Sequence, residues 1–148
     1  MTSFEDCTIR VRYADTDQMG VVYYANYLVY FEVGRTEFCR RRGIAYAEIE
    51  RRSGSYLIVA EARCRYRRPL RYDQVVVVRT FLQEFRKRTV TFAYQLIDPI
   101  SGLLFAEGET VHVVTDEQGR PKSFPEEYRS KLLGPDHTRE DSQEVRMD

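Results

Sequence analysis

The sequence predicts an α+β domain in which a curved five-stranded antiparallel sheet wraps around a long central helix. Three observations carry this. One apolar stripe at helical spacing lies early in the chain, the apolar period then switches to two, and four strand-like runs follow with short connections between them. At 148 residues, 43% hydrophobic and 13% aromatic, the chain suits a single core-forming domain. That domain is expected over residues 1–133, with the charged stretch GPDHTREDSQEVRMD (134–148) as a frayed tail.

Thr8–Tyr13 reads as a first short strand. From Tyr23 to Arg42, apolar residues recur at helical spacing through Tyr24, Tyr27, Leu28, Phe31 and Phe38, with Gly34 on the same stripe. A missing side chain at Gly34 permits close approach of a neighbour, at a helix-propensity cost of ~1 kcal/mol. Arg40, Arg41 and Arg42 complement the helix dipole, and Gly43 stops the helix. In SYLIVAEARCRYR, residues Tyr56, Ile58, Ala60, Ala62, Cys64 and Tyr66 alternate with polar neighbours, which predicts a strand with one apolar face. QVVVVRTFLQEF, TVTFAYQLI and LLFAEGETVHVV are three further strands, and a second, shorter helix is expected around Pro125–Leu133. One helix cannot cover both faces of such a sheet, so outward-facing Val75, Val77 and Phe81 predict association through a sheet edge or face.

The sequence contains no apolar run of the ~20 residues that a membrane-spanning helix needs and no signal-peptide pattern at its start, so no membrane insertion and a cytoplasmic location are expected. Cys7, Cys39 and Cys64 are an odd, widely spaced set and read as reduced thiols. The zero net charge is uneven. Residues 35–88 hold fifteen basic against six acidic side chains, a balance of +9. Such a segment fits an anionic partner or neutralisation by flanking acids, and its cations match no nucleic-acid-binding motif.

Of the two histidines, His137 lies in the tail and His112 sits mid-strand between valines, where a structural role is expected. There is no G-x-S-x-G, no phosphate-cradling glycine loop and no metal-ligand cluster, which leaves a carboxylate as the best reactive group. Asp15 and Asp17, in YADTDQMGVVYY, precede the expected helix start. The first turn of a helix presents unpaired N–H groups and partial positive charge, and a carboxylate beside it can attack a carbonyl or activate water. Val21, Val22, Tyr23 and Tyr24 would keep that point dry. Both aspartates also suit simple turn organisers, which is the reading kept for Asp15.

The stretch VRYADTDQMGVVYYANYLVYFEVGRTEFCRRRGI resembles the signature of the hotdog-fold acyl-CoA thioesterases, in the 4-hydroxybenzoyl-CoA thioesterase-like group with its Tol-Pal-associated relatives. The matching positions are Asp15, Asp17, Gly20, Val21, Val22, Tyr23 and Tyr27, followed by Phe31, Glu32, Arg35 and Glu37, and the likeness extends over about residues 5–130. It implies a single hotdog fold, a homodimer or dimer of dimers (a homotetramer), an acyl-CoA substrate and no cofactor. Carried over by position, Asp17 would be the nucleophile or general base, and the backbone N–H near Tyr24 would polarise the thioester carbonyl. Gly20, Val21, Val22 and Tyr27 would contact substrate, with Gly20 admitting it closely. Arg86, Lys87 and Arg88 would meet the CoA phosphates. Glu32, Arg35 and Glu37 are expected to form an ion-paired network under the loop. Many Tol-Pal-associated members have His where this chain has Tyr24, a difference that bears on chain specificity more than on activity. The alternatives are a non-catalytic acyl-CoA-binding or scaffold protein and a 3-hydroxyacyl-thioester dehydratase. The dehydratase usually needs a site histidine, and none lies before residue 112.

Overall fold

The computed structural model describes residues 3–134, so the expected tail lies, from residue 135 onward, outside the described residues. In chain order the elements are β1 (Phe4–Arg10), a 3₁₀ turn (Tyr13–Asp15), α1 (Asn26–Arg41), α2 (Tyr46–Ser53), β2 (Tyr56–Tyr66), β3 (Val75–Phe85), β4 (Thr89–Ile97), β5 (Leu104–Thr115) and α3 (Glu126–Leu133). The strands form one antiparallel sheet in the order β1-β3-β4-β5-β2. This is the expected α+β architecture, with α1 seated on the inner face.

Alternation places Val76, Val78 and Leu82 of β3, Phe92 and Leu96 of β4, and Val114 of β5 in the core, all buried. Helix α1 answers with Tyr27, Tyr30, Phe31 and Phe38. Phe31 lies flat on Tyr94, with ring centroids 4.5 Å apart and planes 5° from parallel. Two glycines make this seating possible. A Cβ on Gly34 would come within 2.6 Å of Thr80 Oγ1 and closer still to Val78, and one on Gly108 would lie 2.6 Å from the Phe31 ring.

The first strand lies earlier than Thr8–Tyr13, because its partner is β3 from Phe4↔Phe81 to Arg10↔Val75. Its polar residues EDCT show no alternation, which hid it from pattern reading. Helix α1 starts at Asn26, three residues after the expected Tyr23, because Tyr24 and Ala25 form a turn whose carbonyls accept from Tyr27 and Leu28. Helix α2 was not expected. Only Ile49 of it is buried, so it has little apolar stripe, although the Glu48–Arg52 pair (2.9 Å) and the left-handed cap at Gly54 are helix signals. The inward phase of β2 also differs from the expectation. Leu57 and Val59 face Val114 and His112, the register shifts between Val59 and Glu61, and Ala62 and Cys64 then face Thr110 and Gly108. That bulge puts Tyr56 and Ile58 on the outer face and the later residues on the expected inner one.

Glu32, Arg35 and Glu37 do not form an ion-paired network. Glu32 is exposed, Glu37 pairs with Arg40, and Arg35 donates to the Tyr94 hydroxyl at 3.1 Å. Tyr94 meets Thr110 at 2.5 Å, and Thr110 meets His112 Nε2 at 2.8 Å. The basic segment is largely neutralised within the fold, through pairs such as Arg65–Glu109, Arg67–Glu107 and Arg79–Asp6.

Replacing Gly34 by Ala gains helix propensity of ~1 kcal/mol but forces a methyl group against the stiff Val78 side chain. Overpacking of that kind costs about 1–3 kcal/mol, so chemical denaturation should show a net loss of stability; a more stable Gly34→Ala protein would contradict the seating described. His112 supplies a second test. Burial, with the nearby Arg35 charge, holds its pKa down at about 3 against 6.5 for the free side chain. Below pH 6.5 the unfolded chain binds a proton that the folded chain refuses. Stability from this group is therefore complete above that pH and falls on acidification, by about 1.4 kcal/mol per pH unit, until about pH 3. Denaturant unfolding at about pH 7 and about pH 5 should show a smaller acid loss for His112→Gln than for wild type; equal losses would sink the assignment.

Candidate active site

Between β1 and α1 the chain makes two tight turns. Arg12 to Asp15 closes first, with Asp15 N–H donating to the Arg12 carbonyl. Residues 16–22 then fold back as a short loop, with Thr16 bridged to Val22, and Asp17 N–H donating to the Val21 carbonyl at 2.8 Å. Gly20 sits at φ +77, and a Cβ there would meet nothing within 4 Å. Its constraint is therefore the left-handed backbone of the turn. The open space beside Gly20 leaves room for the close substrate approach expected there. The loop is tied to the connection before β3 by Val22 N–H donating to the Leu70 carbonyl and by the Val21–Arg71 bridge.

Asp17 is half-buried. Its Oδ1 accepts the Met19 N–H at 2.8 Å and, more loosely, the Val21 N–H at 3.4 Å. Its Oδ2 accepts nothing among the described residues, so one carboxylate oxygen is held and the other is free. The carboxylate also lies close enough to Tyr27 for its charge to act on that hydroxyl. At the helix start, Asn26, Tyr27 and Leu28 donate to the carbonyls three residues back, but the Tyr24 and Ala25 N–H groups find no acceptor among the described residues. No side chain caps the helix. The positive end of α1 is thus left with open donors beside a carboxylate-bearing loop.

Asp15 differs from Asp17 in every respect. It is 5% exposed, and its carboxylate accepts the Arg12 N–H at 3.0 Å, the Arg12 guanidinium at 2.9 Å and the Tyr30 hydroxyl at 2.9 Å. Burial pushes its carboxyl up, but the hydrogen bonds from Arg12 and Tyr30 outweigh burial and hold it below the usual carboxylate range.

The aromatic residues separate into two groups. Tyr24 is 62% exposed, with its ring against Tyr23, and its carbonyl accepts the Tyr66 hydroxyl at 2.9 Å. Val22 and Tyr27, expected to touch substrate, are each only 3% exposed. Val22 packs in the core, while Tyr27 receives the Leu70 N–H on its hydroxyl and stands edge-on to Tyr66, so both brace the loop from behind. Val21 keeps partial exposure. In the single chain the rim at Tyr23 and Tyr24 is open to water, contrary to the dry wall expected.

Arg86, Lys87 and Arg88 form the β3–β4 turn, whereas the Asp17 loop follows the other end of the sheet, where Arg10 pairs with Val75. The eleven residues of β3 separate the two by about 35 Å, so the turn and the loop do not meet within one chain. Two cations near the loop escaped the sequence reading. Around it, Arg10 pairs with Asp73, Arg12 with Asp15 and Arg67 with Glu107, whereas Arg68 and Arg71 have no carboxylate within 4.0 Å among the described residues. Both lie in RRPLRY, the connection between β2 and β3.

The sequence model of the Thioesterase-like superfamily matches residues 11–132. A Bacillus subtilis protein, named "Putative acyl-CoA thioesterase YneP", is 36% identical over 123 residues, covering 80% of this chain and 88% of its own length. Among solved structures, the hypothetical protein TT1821 of Thermus thermophilus superposes with TM-score 0.82 at 38% identity, covering 90% of this chain and 99% of the other. The DHNA-CoA thioesterase of Staphylococcus aureus superposes with TM-score 0.77 at 27% identity, covering 81% and 80%. With the family match spanning the sheet, the helix and the Asp17 loop alike, this hotdog-fold chain belongs to the thioesterase-like superfamily.

Proposed function

We propose that this protein hydrolyses acyl-CoA to a carboxylic acid and CoA, with Asp17 as the reacting carboxylate. The observation that carries this is the pairing of a free Asp17 oxygen with free Tyr24 and Ala25 N–H groups at the start of α1. A thioester carbonyl oxygen placed against those donors gains negative charge on attack, and donors already fixed in place stabilise that charge without reorganising. Two routes fit. In one, Asp17 takes a proton from water as the water oxygen bonds to the carbonyl carbon. The C–S bond then breaks, and the departing CoA thiolate recovers the proton. In the other, the carboxylate attacks directly, CoA leaves as thiolate, and water opens the resulting anhydride. Among the described residues no histidine lies at this loop, because His112 is opposite Val90 near the far end of the sheet, which argues against the dehydratase alternative.

The open site and the free edge of β2 point to a second copy as part of the working enzyme. Strand β2 bonds to β5 on one side only, and along it Ile58 and Val59 are each 50% exposed, Val59 on the inner face. Antiparallel pairing of two β2 edges would set the β3–β4 turn of the partner level with this chain's Asp17 loop. The turn lies two to three strand spacings, about 10–14 Å, inside that edge. In this arrangement Lys87 and Arg88 of the partner subunit come within reach of the phosphate end of an extended CoA. The homodimer, any pairing of dimers through the outer sheet face, and a cytoplasmic setting for the reaction all belong to this proposal. No helix of the described residues is long and apolar enough to cross a membrane.

With a panel of acyl-CoAs and a thiol-trapping dye, wild type should release CoA, and Asp17→Asn should lower kcat by about 10²–10⁴-fold. Release surviving in Asp17→Asn would sink the mechanism, and binding without release would identify a non-catalytic acyl-CoA binder. Subunit mixing tests the dimer. Asp17→Asn protomers combined with Lys87→Ala/Arg88→Ala protomers should regain activity at low acyl-CoA, since half-mutant dimers hold one complete site. No recovery, together with a raised KM in Arg68→Ala/Arg71→Ala, would transfer the phosphate contact to the loop's own chain.

A further inference from the structure

Asp15 bonds both to the turn before the loop and to the start of α1 without having a carboxylate oxygen free to react. Its carboxylate gathers the Arg12 N–H, the Arg12 guanidinium and the Tyr30 hydroxyl. Its carbonyl accepts two more donors, the Tyr23 N–H at 2.9 Å and the Asn26 side-chain amide at 2.9 Å. Tyr23 precedes Tyr24, Asn26 opens α1, and Tyr30 lies one turn further along the helix. From the loop side, Asp17 follows Asp15 by two residues, with Thr16 as the link bridged to Val22. One buried residue therefore bonds both the segment that carries the attacking carboxylate and the helix end that carries the carbonyl donors.

On this geometry we propose that Asp15, through its hydrogen bond with Tyr30, is a positioning residue that sets the distance between the Asp17 carboxylate and the Tyr24 N–H. The inference rests on the thioesterase reading above and adds a second aspartate to it. Of the groups held by Asp15, Tyr30 matters most. The Arg12 bonds are local to the turn, and that side chain is 75% exposed. The Tyr30 hydroxyl is instead the side-chain contact by which the carboxylate grips the helix itself, within the core. Nucleophile and donor must both meet the same carbonyl group, and misplacement by about 1 Å costs about 100-fold in rate. The cations proposed for CoA binding, Arg68 and Arg71 of this chain and Lys87 and Arg88 of the partner subunit, are not among the groups that Asp15 bonds.

The test uses Asp15→Asn, Tyr30→Phe and the double variant of the full chain, with thermal unfolding to establish that each is folded. Tyr30→Phe removes one oxygen and keeps the buried ring, so it carries the test if Asp15→Asn does not fold. The expected result is a fall in kcat of about 10–100-fold with KM changed no more than about 3-fold. The double variant should lose little more than the worse single one, because both substitutions break one shared bond. A folded Tyr30→Phe protein with kcat within about twofold of wild type would overturn the inference, as would a loss confined to KM. If wild type itself cleaves no acyl-CoA, the thioesterase reading fails instead, so the two failures are distinguishable.

Discussion

The seating of α1 on the sheet governs the rest of the molecule. At its centre Phe31 lies flat against Tyr94 and reaches over Gly108, while Gly34 lets the helix backbone drop toward Val78 and Thr80. Both glycines lie where any side chain would collide, so the helix has one depth available to it. Close packing transmits that depth along a rigid element of 16 residues. The N-terminus of the helix, and the donors that project from it, are placed by contacts at its middle.

The loop before the helix is placed by different forces. Its own turns are closed by backbone bonds at Asp17, Gly20 and Val21, and its outer edge is tied to Leu70 and Arg71. Asp15 joins this loop to the helix. Its burial would be costly for an unpaired carboxylate, but the bonds it collects compensate for the lost water. Asp17 is spared such company. One oxygen is engaged by the turn and the other is left available, so two aspartates two residues apart differ in the partners they collect.

Much of the fold was legible because its cause is local. Strand β4 alternates throughout, and β3 and β5 do so along most of their length, since each has one face on α1 or its neighbours and one face outside, and their spans agree with the pattern to within a residue or so. The elements that escaped are those with weak local cause. Strand β1 is an edge strand made by pairing with β3, and α2 has a single buried side chain. The phase of β2 reverses at a bulge, and nothing in the residues before Glu61 announces that shift. The site was legible in part. The aspartates, the glycine turn and the helix start are neighbours in sequence. Arg68 and Arg71 are distant from them in sequence, and their segment is joined to the loop where Arg71 bridges to Val21 and the Leu70 carbonyl accepts the Val22 N–H.

By itself the sequence determined the α+β class, the central helix and the strand runs, and it singled out the two aspartates of the loop as candidates. These follow from periodicity and from residue chemistry, which act over a few residues. Only the tertiary structure decided which aspartate is buried and bonded and which keeps a free oxygen. It also decided that Val22 and Tyr27 face inward, and that the cations of the β3–β4 turn stand at the opposite end of the sheet from the loop. The reason is physical. Burial, register and the direction of each strand depend on partners far away in the chain, and those partners come together only when the sheet closes over the helix.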